Sequence, residues 1–144
     1  MKKNKKIKIL FLDILTGNKK LKKRLEDKVY KGGTYGQHMR KVFGLGKKEF
    51  IVLDGSKNIP FKPSKYDAIV MGGSVEDPVK GMEKPWMKKV YKFILKAIDN
   101  NIPILGICGG LQFTIRALDG KITSNPKGGS HGEQKERSGD ANCF

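Results

Sequence analysis

The chain has 144 residues, which is the size of one domain with a single hydrophobic core. Thirty Lys and Arg against fourteen Asp and Glu give a net charge of +16, but the lysines are spread over every segment with little aromatic interleaving, so they read as a solvated surface and predict no specific nucleic-acid partner. Two cysteines, Cys108 and Cys143, make no disulfide framework and favour a reducing cytoplasm, and no stretch approaches the ~18 consecutive apolar residues of a membrane span.

Lysines ahead of Ile9-Leu10-Phe11-Leu12 imitate the start of a signal peptide, but Asp13 interrupts the apolar run and no small-residue cleavage site follows. Residues 7–15 therefore read as a first buried strand, with Asp13 near its carboxyl end. Over residues 17–31, Leu21, Leu25 and Val29 recur every four positions, the pattern of a short amphipathic helix with a basic, solvated face. Thr34 and Gln37 then have capping-box spacing for a helix carrying Tyr35, Met39, Val42 and Phe43 on one face and ended by Gly44 and Gly46. His38 on that helix has no histidine or acidic partner nearby and reads as a surface residue.

Residues 49–53 and 66–71 read as the second and third strands, separated by a loop containing Pro60, Pro63 and Ser64. Residues 74–84 are irregular and carry Glu76, Asp77 and Glu83. Pro85 then takes the first position of a helix whose inner face is expected to hold Met87, Val90, Tyr91, Ile94 and Ile98, with Lys88, Lys89, Lys92 and Lys96 turned away. Alternating strands and helices predict an α/β fold with a mostly parallel sheet covered on both faces, and ligands in such sheets sit beyond the carboxyl ends of the strands. Gly72-Gly73 and Cys108 both terminate strands, so both are expected at that edge.

The sharpest signal is the run Asn101-Ile102-Pro103-Ile104-Leu105-Gly106-Ile107-Cys108-Gly109-Gly110-Leu111-Gln112. A short strand feeds a tight turn with a thiol at its apex, and Leu111, Ile115 and Leu118 then recur at helical spacing until Gly120. A helix N-terminus offers free backbone N–H groups and a partial positive charge, which favour a thiolate there. Gly106, Gly109 and Gly110 remove the Cβ atoms that would forbid so sharp a bend. The competing reading of Cys108 is a small buried hydrophobe.

The segment from Gly106 to Gln112 resembles the nucleophile elbow of class I glutamine amidotransferases, Gly-Xaa-Cys-Xaa-Gly-Xaa-Gln, and Tyr66-Asp67-Ala68-Ile69-Val70-Met71-Gly72-Gly73-Ser74 resembles the same family's strand ending in a glycine pair. Pro85-Trp86-Met87 and Asn101 to Leu105 look like the branch related to the amidotransferase part of GMP synthase. Gly109 departs from the aromatic or larger residue usual in the family and is nearer the cobyric acid synthase branch. The resemblance spans about residues 7–128. It implies a flavodoxin-like fold, incomplete at the C-terminus, and no cofactor or metal. Cys108 would be the nucleophile, the Gly73 and Gly109 N–H groups the oxyanion hole, and Gln112 a substrate-binding residue. The implied reaction is hydrolysis of the glutamine side-chain amide through a thioester, with ammonia passed to a synthetase domain or subunit in a GMP-synthase-like amination.

The family completes a Cys-His-Glu triad with a His-Xaa-Glu well beyond the elbow. Here residues 1–128 are expected to form the amidotransferase-like domain, and residues 129–144 a polar, disordered tail without hydrophobic periodicity. His131-Gly132-Glu133 matches the triad pattern but lies in that tail, so it is not expected to supply the base. A truncated or frame-shifted coding region is the expected cause. The alternatives are a catalytically inactive remnant or binding protein with the same fold, and another cysteine hydrolase using the same elbow.

Overall fold

The computed structural model of the chain describes residues 5–60 and 62–123; the tail over residues 129–144, with His131, Glu133 and Cys143, lies outside the described residues. Strands β1 (Ile9–Asp13), β2 (Phe50–Asp54), β3 (Ala68–Met71) and β4 (Ile104–Gly106) form a parallel sheet in the order β2-β1-β3-β4. Ile9 is in register with Phe50 on one side and Ala68 on the other, and Ile69 with Ile104. β1 has neighbours on both sides and helices above and below, so all five of its residues are buried, as an uninterrupted apolar strand in a parallel sheet requires.

Helices α1 (Lys19–Tyr30) and α2 (Tyr35–Phe43) follow β1, α3 (Pro85–Asp99) follows β3, and α4 (Gly109–Ala117) follows β4. One face of the sheet packs Leu10, Leu12, Ile69 and Met71 against Val90, Phe93 and Ile94 of α3 and Phe113 of α4. The other packs Phe11, Phe50 and Val70 against Tyr35 and Met39 of α2. This is the expected flavodoxin-like arrangement, with the chain reversing its direction of travel across the sheet between β1 and β3.

The helix ends follow the expected chemistry. The Thr34 hydroxyl accepts from the Gln37 N–H at 3.2 Å while the Gln37 side chain accepts from the Thr34 N–H at 3.0 Å, closing the capping box. Gly44 ends α2 in the left-handed conformation at φ 65°, and Pro85 opens α3.

Several faces differ from those expected. On α3 the buried stripe is Met87, Val90, Phe93, Ile94 and Ala97, while Ile98 is 39% exposed. Spacings of three and four residues fit either stripe, and contact with the sheet picks the one rotated toward Ala97. On α2, Tyr35 and Met39 are buried and Phe43 packs on Phe50, but Val42 is 64% exposed, because it lies off the stripe of residues four apart that meets the sheet. α1 buries no residue at all. Its anchor is polar: the Lys22 ammonium lies 2.9 Å from Asp13 and 3.1 Å from Asp54, at the carboxyl ends of β1 and β2. Burial pulls the Asp54 carboxyl upward, but hydrogen bonds from Ser56 and then Lys22 outweigh it and hold the group below its ordinary value. On α4 the buried residues are Gly109, Gly110 and Phe113, while Leu111, which shares the helical spacing, is 38% exposed.

Candidate active site

β4 ends at Gly106 and α4 begins at Gly109, so the chain must reverse within two residues. Cys108 makes the turn, at φ 53° and ψ −108°. A non-glycine residue there is strained by ~1–3 kcal/mol and persists only where its surroundings hold it. Here they do so by hydrogen bonds to the neighbouring strand end: the Ile107 N–H donates to the Met71 carbonyl and the Gly110 N–H to the Gly72 carbonyl, both at 2.9 Å. The Cys108 carbonyl accepts from the N–H groups of Leu111 and Gln112 at 3.1 and 3.2 Å.

The glycines permit this closeness. A Cβ on Gly110 would overlap the Met71 carbonyl, and one on Gly109 the Ser74 backbone N. One on Gly106 would sit 2.7 Å from the Gly110 carbonyl. The elbow is thereby pressed against the loop after β3, and Cys108 is left with a free, exposed thiol, unlike the buried hydrophobe of the competing reading.

The other residues singled out in the sequence lie around this turn. Gly109 is the first residue of α4, and among the described residues no hydrogen bond uses its N–H. Gln112 lies in the first turns of the same helix, half-buried. Gly73 follows β3, one residue from the carbonyl that binds Gly110, but its N–H is engaged: it donates to the Tyr35 hydroxyl at 2.8 Å. His38 is exposed on α2, its ring 4.9 Å from that of Tyr30. His131 and Glu133 lie outside the described residues.

Two contacts at the site carry no signal in the linear sequence. Tyr35 comes from 38 positions away to meet Gly73. Arg116 of α4 pairs with Glu83 at 2.6 Å, with side chains 9% and 7% exposed, and so pins the irregular segment after β3 to the helix that follows the elbow. The Arg116 hydrogen bond holds the Glu83 carboxyl below its ordinary value. The same segment is tied to the end of β1, where the Thr16 hydroxyl donates to Glu76 at 2.7 Å and the Val75 N–H to the Leu15 carbonyl at 2.9 Å. Three strand-end loops are thus fastened together on one edge of the sheet.

Among the described residues no group of three or more His, Cys, Asp or Glu is placed to hold a metal ion, and no helix is long and apolar enough to cross a membrane. A cavity of about 710 Å³ opens beside α2, lined by Tyr30, His38, Arg40 and Lys41 among others, but it does not reach Cys108.

The geometry agrees with what comparison with known proteins finds. The family model for glutamine amidotransferase class-I matches residues 24–143. Gamma-glutamyl peptidase 4 of Arabidopsis thaliana is 35% identical over 79 residues, a stretch that covers 55% of this chain and 31% of that protein. The chain therefore matches about a third of that relative's length. No solved structure matches it. With that family model covering residues 24–143, most of the sequence, the chain belongs to the class I glutamine amidotransferases.

Proposed function

We propose that this chain is a glutaminase-type domain in which Cys108 forms a γ-glutamyl thioester. The observation that carries the reading is the backbone of Cys108, an exposed thiol held at positive φ between a strand and a helix N-terminus. Such strain is maintained when it presents a reactive atom, and a buried structural cysteine has no need of it.

In the proposed reaction the Cys108 thiolate adds to the side-chain carbonyl carbon of glutamine, and the π electrons move onto oxygen. The Gly109 N–H, free at the first position of α4, meets that oxyanion from one side, and the Gly73 end of the site from the other. Gln112, one helical turn on, holds the amino-acid end of the substrate. Collapse restores the carbonyl and expels nitrogen, which takes up a proton and leaves as ammonia. Water then hydrolyses the thioester to glutamate and returns the thiol. Ammonia would pass to a synthetase partner, with a GMP-synthase-like amination as the leading acceptor reaction. An unpaired catalytic thiol suits the reducing cytoplasm.

The slow steps are those that need a proton shuttle. A positioned acid or base is typically worth ~10²–10⁴ in rate, and His38, exposed on α2 against Tyr30, is not at the elbow. The chain alone is therefore proposed to turn over slowly. A second reading follows from the 35% identity to a gamma-glutamyl peptidase: the same thioester formed from a γ-glutamyl peptide, with an amine as leaving group.

The test is release of ammonia from glutamine, and of amine from a γ-glutamyl dipeptide, by the full chain and by Cys108→Ala and His131→Ala. Slow release that vanishes in Cys108→Ala supports the thioester, and the better substrate decides between the two readings. Release that vanishes in His131→Ala as well makes His131 the base. A rate unchanged in Cys108→Ala leaves a non-catalytic or binding role.

A further inference from the structure

The N–H of Gly73 does not point into empty space. It donates to the hydroxyl oxygen of Tyr35 at 2.8 Å, and that ring is only 9% exposed. The ring is fixed on several sides. Phe11 meets it edge-on at 5.2 Å between centroids, and Tyr30 stacks on it at 5.6 Å. The backbone N–H of Tyr35 is held by the Glu26 carboxylate at 3.0 Å. Gly72 completes the seat, because a Cβ there would overlap the Tyr35 hydroxyl oxygen. A glycine thus stands beside the elbow at a position where a side chain would evict the phenol.

A phenolic hydroxyl has one proton to donate and lone pairs to accept with. The Gly73 N–H uses an acceptor site, and among the described residues nothing accepts the Tyr35 proton. The elbow lies alongside: the Gly72 carbonyl takes the Gly110 N–H at 2.9 Å, and a Cβ on Gly109 would overlap the Ser74 backbone N, so Gly73 is flanked on both sides by residues packed closely against the Cys108 turn. We propose that the Tyr35 hydroxyl, not the Gly73 N–H itself, is the second donor to the oxyanion formed when Cys108 adds to a γ-glutamyl carbonyl, with Gly109 as the first.

Gly73 then acts through Tyr35. By donating to the phenol oxygen it orients the hydroxyl and polarises it, which strengthens the hydrogen bond the hydroxyl gives. The phenol keeps its proton throughout. Burial pushes its pKa above the ordinary value, and negative charge at Asp13 and Cys108 adds to that push against the Gly73 bond. No proton is transferred: as sulfur bonds to carbon and the π pair moves to oxygen, the O–H shortens its contact to the new anion, and it relaxes when the carbonyl re-forms.

The inference rests on Cys108 being the nucleophile, and the test separates the two. The 4-nitrophenyl γ-ester of L-glutamate acylates through the same oxyanion but expels a phenolate that needs no proton, so one burst of nitrophenolate per chain reports acylation alone. Iodoacetamide alkylates the thiol by displacement and forms no oxyanion. Tyr35→Phe keeps the ring and its contacts and removes only the hydroxyl. The burst should slow by about 10²–10³, the usual effect of losing one oxyanion donor, while the iodoacetamide rate stays within about twofold. A burst as fast as or faster than in the unaltered protein would overturn the inference and make Gly73 N–H the donor, with Tyr35 a cover over it. A parallel fall in iodoacetamide reactivity would overturn it too, since Tyr35 would then merely hold the elbow together. Absence of any burst from the unaltered protein would remove the thioester reading, and this inference with it.

Discussion

The two faces of the sheet are built to different standards. On the α3 and α4 face, Leu10, Leu12, Ile69 and Met71 meet Val90, Phe93, Ile94 and Phe113, and none of these is more than 2% exposed. On the other face, Tyr35 and Met39 close over Phe11, Phe50 and Val70, but among the described residues the cover stops before β4. Leu105, in register with Val70, is 50% exposed, and Ile107 and Leu111 beside the elbow are 41% and 38% exposed. The contrast separates two tasks. The closed face excludes water and carries the stability, and the half-covered face leaves Cys108 exposed while sending Tyr35 to the strand ends. A nucleophile set in the closed face would be inert, because its partner molecule could not enter.

The contrast breaks most sharply at Phe113, fully buried with its ring 5.6 Å from Trp86 and 5.7 Å from Tyr91. Phe113→Ala should lower unfolding free energy in urea by about 3–5 kcal/mol, since the cavity lies between two packed elements that cannot both collapse into it. A loss below ~1 kcal/mol would mean that α4 is not part of the stabilising layer.

A middling effect is expected at the junction between the closed face and the site. The Glu83 carboxyl, paired with Arg116, ionises below its ordinary value of 4.5, so the folded state binds its proton less readily than the unfolded chain. The pair's contribution is fully present above pH 4.5 and is lost as pH falls through the lower folded value. Glu83→Gln should lower the melting midpoint by several degrees at neutral pH and flatten the acid limb of the stability profile. Parallel melting curves for both proteins from pH 7 to pH 3 would show that the pair does not couple the loop to α4.

The smallest effect belongs to the half-covered face. Leu105→Ala should change stability by no more than about 0.5 kcal/mol by the same urea measurement, as for a surface substitution. A cost above ~2 kcal/mol would reveal that this side of β4 is covered in solution and that the two faces are more alike than they look.

Local chemistry determined much of this protein from the sequence alone. Alternating apolar runs and capped helices specified a parallel α/β sheet, because each strand and cap is written in consecutive residues, as in Thr34-Xaa-Xaa-Gln37 closing its own box. The elbow was equally local: Gly106, Cys108, Gly109 and Gly110 record a turn too tight for side chains. Which stripe of each helix met the sheet was not written that way. Ala97 displaced Ile98, since several faces satisfied the same spacing and only the neighbouring layer distinguished them. The partner of Gly73 was further out of reach, because a tyrosine 38 residues upstream becomes its neighbour only when α2 packs over β1 and β3. Spacing encodes what a segment does with its own backbone, and the contacts that complete a site are set by how separate segments fill the space between them.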